Sequence, residues 1–451
     1  MRFEFKNVGV IDKADLEMGD LTIICGENNT GKTYLTYTIY GFYKRWSFHL
    51  FEELEEPIKQ ELKKSKGIID LDEMFSQKIN QYFEKISTSY TKELHYIFAS
   101  RKEFFSEAIF KAYLDQEPEK IDFSKPYKKT LNRGGKTIAT ISKKENSSKI
   151  EIITDQDVVT NFGIISFVAR AITEIVFDPY FMDVFIASAE RTGAAIFYKE
   201  LDFSRSRLME KIQSNKSEEL DPIEIFKTIQ ETGYARPIVD NVDFIRNIET
   251  LDKKESDLSK KYPQIIKLFE KIVGGSYKFI KNKGLVYVPK NGNKKQFSMS
   301  EASSSIRALL DIYFYLRCCA ESGDMLILDE PELNLHPTNQ RLFARLIALL
   351  VNCGIRIFIT THSDYIIREL NTLIMLDAKT KNTKYIQKKH KYLDEELMDY
   401  KKIKIFTTNS TKNSNGLIKA EIDPKYGIEA KTFDSQIEEI NNIQNNILFE
   451  D

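Results

Sequence analysis

The sequence predicts an α/β protein built around a phosphate-binding loop, and three stretches together predict it. Leu21-Thr22-Ile23-Ile24-Cys25 is an apolar run leading into Gly26-Glu27-Asn28-Asn29-Thr30-Gly31-Lys32-Thr33, and Tyr34 to Tyr40 reads as the start of a helix. Met325-Leu326-Ile327-Leu328 is a second apolar run and ends in the paired acids Asp329 and Glu330. Ile355 to Thr361 is a third, ending at His362-Ser363-Asp364. Short apolar runs separated by helical segments are how buried parallel strands look in sequence.

The first stretch has a chemistry of its own. Strand, glycine-bounded loop, Lys-Thr and helix is the required setting of a P-loop. Gly26 and Gly31 let the backbone curl, so that loop N–H groups, those of Asn28, Asn29 and Thr30 among them, point at a β-phosphate. Lys32 then reaches the β- and γ-phosphates, and the Thr33 hydroxyl holds Mg²⁺. A glycine turn that only joined two core elements would not need a lysine and a threonine at those places.

The bulk numbers set the frame. A chain of 451 residues predicts two or three domains with ample core. Net charge is −1, so no global basic field argues for nucleic acid, although 66 Lys+Arg leave room for a local basic groove. Cys25, Cys318, Cys319 and Cys353 lack CxxC spacing, which argues against disulfides or a zinc site and for a reducing compartment. Met1 to Lys6 has no signal-peptide core, and no apolar run reaches the roughly 18 residues of a membrane span. A cytoplasmic protein without a membrane partner is the expectation.

Taken in order, Phe3-Glu4-Phe5 and Ala14-Asp15-Leu16-Glu17 alternate like strands around a turn at Val8 to Asp12. Glu52 to Lys66 and Met74 to Lys85 are charged and helical in pattern, and a further helix fits Lys92 to Leu114. Thr137 to Ile141 and Lys149 to Ile153 alternate about Asn146-Ser147-Ser148 and predict a hairpin. Phe167 to Ile175 is helical, and Val184 to Ala187 is a buried strand followed by the polar turn Ser188 to Gly193. A ligand-facing Arg191 and a structural salt bridge fit that turn equally well. Residues 203–272 are mostly helical and charged, and Tyr277 to Ile280 with Leu285 to Val288 forms a second hairpin. The serine cluster Ser298 to Ser305 precedes an apolar helix from Ile306 to Ala320, a good cap and a good anion site.

A buried strand ending in paired acids sets them where a cation or a reacting water offsets their charge. Beside a P-loop, Asp329 becomes the Mg²⁺ residue and Glu330 the base for the attacking water, while His362 is placed to polarise the γ-phosphate. The helix Gln340 to Val351 lies between the acids and the third strand. The tail adds short strands at Ile403 to Phe406 and Leu417 to Ile422 and a helix from about Phe433 to Ile447.

These stretches resemble the ABC-type ATPases of the SMC, RecF and OLD group, a branch of the AAA-family ATPases. Gly26–Thr33 matches their Walker A motif, Leu326–Glu330 with Pro331 their Walker B, Leu333–Pro337 their D-loop and Thr361–Asp364 their switch histidine. Ala302-Ser303-Ser304-Ser305 stands where a Ser-Gly-Gly or Ser-Gly-Glu signature is usual, and no stretch matches the glutamine loop. The resemblance implies an α/β, ABC-ATPase-like P-loop NTPase with an antiparallel β-subdomain and a mainly helical inserted region. It divides the chain into a discontinuous head (1–43, 160–202 and 263–451), a helical and β-hairpin insertion (44–159) and a helical subdomain (203–262). It implies ATP and Mg²⁺ as cofactors, with Thr33 and Asp329 at the metal and Glu330 and His362 catalytic. Gly26, Asn28, Asn29, Thr30, Gly31, Lys32 and Arg191 would lie at the nucleotide, and Ser303 and Ser304 would reach that of a second subunit in an ATP-clamped dimer.

Within that group the chain looks most similar to standalone ATPase subunits of anti-phage systems of the Septu or PARIS kind, which pair with a separately encoded nuclease effector. The insertion is too short for an SMC coiled coil and lacks a zinc-hook cysteine pair, and neither a Toprim nor an HNH nuclease pattern is present. The alternative is a RecF-like DNA-binding ATPase of repair or DNA-end processing. A transporter subunit and a toxic activity within the insertion are the weaker readings.

Overall fold

The computed structural model describes residues 1–65, 67–154, 162–197, 233–281, 283–291, 295–411, 414–423, 427–428 and 443. Leu21–Cys25 is buried at every position and lies in the middle of a nine-stranded sheet. Ile403–Thr411 and Arg356–Thr361 flank it, both parallel to it. Met325–Asp329 and then Val184–Ala187 continue the parallel set to one edge. On the other side Ser414–Lys419, Ile11–Glu17, Arg2–Val8 and Ile109–Tyr113 complete the order. There the pairings turn antiparallel, except that Ser414–Lys419 runs parallel to Ile11–Glu17.

The period of two in these strands sorts their side chains into two cores. Leu21, Ile23, Leu326, Leu328, Ile357 and Ile359 enter one, beneath the helices Leu310–Cys318, Pro337–Asn352 and Asp364–Asp377. Ile24, Met325, Ile327 and Phe358 enter the other, against the helix Lys32–Ser65. That helix buries Leu35, Ile39, Phe42, Trp46, Leu50, Leu54, Ile58 and Leu62, an apolar stripe at helical spacing along its whole length. It is one element through 43 and 44, so the head and the insertion share it rather than meeting at a linker.

Two expectations need correcting. Lys92 to Leu114 is not a helix: Leu94–Ile97 and the 3₁₀ turn Lys102–Phe105 are short, and Ile109–Tyr113 is an edge strand paired with Arg2–Val8. The reason is visible in its burial, since Phe110 and Ala112 face inward while Ile109 and Lys111 face out. Phe110 stacks on Phe3 with ring centroids 5.7 Å apart, a long-range contact that outweighs local propensity. The insertion also carries more sheet than a hairpin. Lys136–Lys143 and Lys149–Thr154 pair as expected, and Tyr127–Arg133 and Ile68–Asp70 extend them to four antiparallel strands.

The second hairpin is Gly275–Ile280 with Gly284–Pro289, extended by Phe297–Ser298. Residues 203–232 lie outside the described residues, as does the expected helix from Phe433 to Ile447 apart from Ile443. Among the described residues no helix is long and apolar enough to cross a membrane.

Candidate functional site

Strand register assembles the site. Asp329 lies beside Thr360, and Thr361 beside Cys25. The chain therefore leaves the sheet at Gly26, Glu330 and His362 on one end of three adjacent parallel strands. That is the end at which open α/β sheets bind ligands.

The loop Gly26–Thr33 depends on glycine for two reasons. Gly26 has φ +151° and Gly31 φ +95°, conformations that side chains disfavour. A Cβ on Gly26 would also stand 1.7 Å from Thr408 Oγ1, and one on Gly31 2.6 Å from Ile11 Cδ1. Neighbouring strands thus press the loop into shape from behind. Glu27, Asn28 and Asn29 are exposed at its tip, while Thr30 is tied down by donating to the Glu27 carbonyl at 2.8 Å. Lys32 is only 4% exposed, and its Nζ donates to the carbonyls of Gly26 (3.1 Å) and Glu27 (2.7 Å). Its ammonium is held inside the concavity by weak neutral acceptors that phosphate oxygens would replace with stronger, charge-assisted bonds. Thr33, half-buried, follows in the first turn of the helix.

The acidic side is equally fixed. Asp329 is fully buried; its Oδ1 accepts from the Thr360 hydroxyl, and its Oδ2 has no hydrogen-bond partner among the described residues. Burial pushes its carboxyl up to about 6, with the Glu330 charge adding to the effect. Glu330 sits at φ +48°, an uncommon conformation for a side-chain-bearing residue, held by its N–H donating to the Thr360 carbonyl at 3.1 Å. His362 Nδ1 stands 3.7 Å from Glu330 Oε1 and 3.3 Å from Glu332 Oε1. Pairing with Glu330, reinforced by Glu332, pushes the imidazole up despite partial burial, and the same pairing holds the Glu330 carboxyl below the usual range.

Glu332 is the participant that sequence reasoning missed. It is 5% exposed, and its Oε1 accepts from the Thr361 hydroxyl at 2.8 Å and the His362 N–H at 2.7 Å. The available signal was an acid two residues beyond Glu330, before an apolar Leu-Asn-Leu stretch. Gln340 couples the same region, its amide donating to the Leu335 carbonyl at 2.9 Å while its oxygen accepts from Ser363.

The structure corrects the nucleotide-facing reading of Arg191. The side chain is 1% exposed and donates to the carbonyls of Ala308 (2.7 Å), Ser188 and Asp329 (2.8 Å each) and Glu330 (3.0 Å). It is a brace for the main chain behind the acids. Burial pushes the guanidinium down, while Asp311, Asp329, Glu332 and Glu330 pull the other way. Ser303 is exposed at the N-cap position of the helix Ser304–Ala308 without a side-chain capping hydrogen bond, its Oγ instead lying 2.9 Å from that of Ser305. Among the described residues no hydrogen bond joins Ser303 or Ser304 to the Gly26–Thr33 loop.

The residues fit a nucleotide and its divalent ion. The fit is carried by the orphaned, buried Oδ2 of Asp329 and by a loop whose glycines leave no room for side chains. Among the described residues no group of three His, Cys, Asp or Glu could hold a metal by itself. Mg²⁺ needs none, since it is commonly bound through one or two protein oxygens plus substrate phosphates. A phosphate cradle on one strand end and a carboxylate pair on its neighbour but one are the working parts of a P-loop nucleoside triphosphatase, and fold and site define that class.

The chain belongs to the AAA ATPase domain family, whose model matches residues 1–367. No curated protein matches it. Among solved structures it is similar to an SMC head bound to the C-terminal winged-helix domain of ScpA, with 11% identity, coverage of 94% of this chain and 97% of that one, and TM-score 0.36. The SMC head domain from Thermotoga maritima gives 11% identity, coverage of 93% and 98%, and TM-score 0.31. An SMC head with an extended coiled coil, bound to the C-terminal domain of ScpA derived from Pyrococcus furiosus, gives 12%, 98% of both chains and 0.31. At such scores the likeness carries no functional weight.

Proposed function

We propose that this chain binds ATP with Mg²⁺ and hydrolyses it, with Glu330 as the general base. The observation that supports this most is Glu330 itself. Its backbone is fixed in a strained conformation one strand removed from the P-loop strand, and its carboxylate is kept ionised by His362. Loop N–H groups from Asn28 to Gly31 hold the β-phosphate, and Lys32 moves from the Gly26 and Glu27 carbonyls to phosphate oxygens. Glu330 orients the attacking water and takes its proton, and His362 donates toward the γ-phosphate. Thr33 and Asp329 would hold Mg²⁺, which supplies charge neutralisation on the phosphates.

Beyond turnover, we propose a regulatory subunit that assembles through ATP-clamped heads and controls a separately encoded effector, a nuclease, in an anti-phage complex. The motif resemblance supports this reading, as does the exposure of Ser303, whose hydroxyl would exchange its Ser305 partner for a nucleotide held by a second copy. The test is to purify tagged Glu330→Gln protein from its native host with ATP present and identify what accompanies it. A stoichiometric nuclease-like polypeptide supports effector control. Nuclease-sensitive DNA without such a protein favours the DNA-repair reading instead.

A further inference from the structure

The helix Lys381–His390 has a face that the ATPase site does not explain. Its sequence, Lys381-Asn382-Thr383-Lys384-Tyr385-Ile386-Gln387-Lys388-Lys389-His390, contains no acid and continues into Lys391. Thr383, Ile386 and Gln387 turn toward the protein, and Ile386 packs on the core. Lys381, Lys384 and Lys388 follow the i, i+3, i+7 spacing of a single face and are all exposed. Tyr385 lies among them at 62% exposure, with the Lys389 ammonium 6.0 Å from its ring centroid.

Helix stability does not account for this arrangement. Lysines in the last turn complement the helix dipole, but Lys381 and Lys384 sit at its positive end, where they cost stability. Neither they nor Lys388 have an ion-pair partner among the described residues. Asp394 accepts from Gln387 rather than from any of the three lysines. Lys379, just before the helix, is paired to Asp377 and adds nothing to the face.

We propose that this face binds the sugar–phosphate backbone of nucleic acid. Lys381 and Lys388 are about 10 Å apart along the axis, about three phosphate steps of one strand. Lysine ammoniums read phosphate as point charges without reading sequence. An exposed tyrosine among them supplies the stacking surface that single strands use. A protein partner is the poorer match, because the face offers one aromatic ring and no apolar anchor to form a buried hot spot. The face lies outside the ATP site, so the inference stands or falls separately from ATP turnover.

The test is fluorescence anisotropy of the full chain with a labelled DNA duplex of mixed sequence and with labelled single-stranded RNA, across a salt series. Wild type is expected to bind, with log affinity falling against log salt at a slope of about −2 to −3, as three phosphate contacts predict. The variant Lys381→Glu/Lys384→Glu/Lys388→Gln should lose at least tenfold in affinity and most of the slope while keeping wild-type ATP turnover. Its two new acids favour the N-terminal turn, so melting of the helix would not explain the loss. Replacing the same three lysines by arginine should retain binding. A preference for duplex or for RNA names the source. Wild-type binding that survives the charge reversal overturns the proposal, as does failure of wild type to bind either nucleic acid, including when it captures an acidic polypeptide.

Discussion

Glu332 holds His362 at two points: its Oε1 accepts the His362 backbone N–H at 2.7 Å and stands 3.3 Å from the ring's Nδ1. The same oxygen accepts from the Thr361 hydroxyl, so one buried carboxylate fixes the end of the third strand and aims the imidazole. Glu332→Gln is expected to lower kcat for ATP about tenfold to a hundredfold with little change in KM, because under the proposed mechanism it loosens a group that acts in the transition state. His362→Ala should lower turnover while leaving ATP binding nearly intact. A Glu332→Gln enzyme with wild-type kcat would return Glu332 to a purely structural role.

Arg191 predicts a stability effect rather than a binding effect. Arg191→Met strands three buried carbonyls and the half-buried one of Glu330, and leaves Asp311 and Asp329 without the nearby positive charge. The loss should be about 3–5 kcal/mol in denaturant unfolding. Arg191→Lys, which keeps the charge but not the fork of donors, should fall between the two. Weakened ATP affinity at unchanged stability would reinstate a nucleotide-facing arginine.

Stability of the nucleotide-free protein should depend on pH through Asp311 and Asp329. Burial pushes both carboxyls up to about 6. Each folded-state value lies above the unfolded one, so the folded protein holds protons that the unfolded chain releases. Their contribution is fully present below about pH 4 and is lost as pH rises through about 6. Asp311→Asn should remove one share, on the order of 2 kcal/mol, from the difference in unfolding free energy between those two pH values. An unchanged pH profile in Asp311→Asn would contradict the assignment.

Gly26→Ala should lose ATP binding by more than tenfold, because its Cβ meets Thr408 and its φ is +151°. Gly134→Ala is the control: φ is also positive, at +57°, but nothing lies within 4 Å of the new atom. It should cost about 1 kcal/mol of stability and leave nucleotide binding alone, measured by calorimetric titration.

Local signals carried much of the fold into the sequence. Leu21–Cys25, Met325–Asp329 and Arg356–Thr361 are legible as buried strands because each is a short apolar run bounded by a turn or chemical motif. Ile109–Tyr113 was not legible, because its partner, Arg2–Val8, lies about a hundred residues earlier and only that pairing decides strand over helix. The convergence of Gly26–Thr33, Asp329, Glu330 and His362 on one end of the sheet was readable for the same local reason. Arg191 and Glu332 were not, since their roles are set by Ala308, Asp329 and Glu330 in one case and by Thr361 and His362 in the other. An arginine after a strand looks the same in sequence whether it faces solvent or braces a core.

The most direct test of the central claim is ATP turnover and ATP binding measured side by side for wild type and Glu330→Gln in the presence of Mg²⁺. If Glu330 is the base, binding stays within about threefold of wild type while turnover falls at least about a hundredfold. Equal turnover in the two proteins would remove Glu330 from the chemistry and the account of hydrolysis with it.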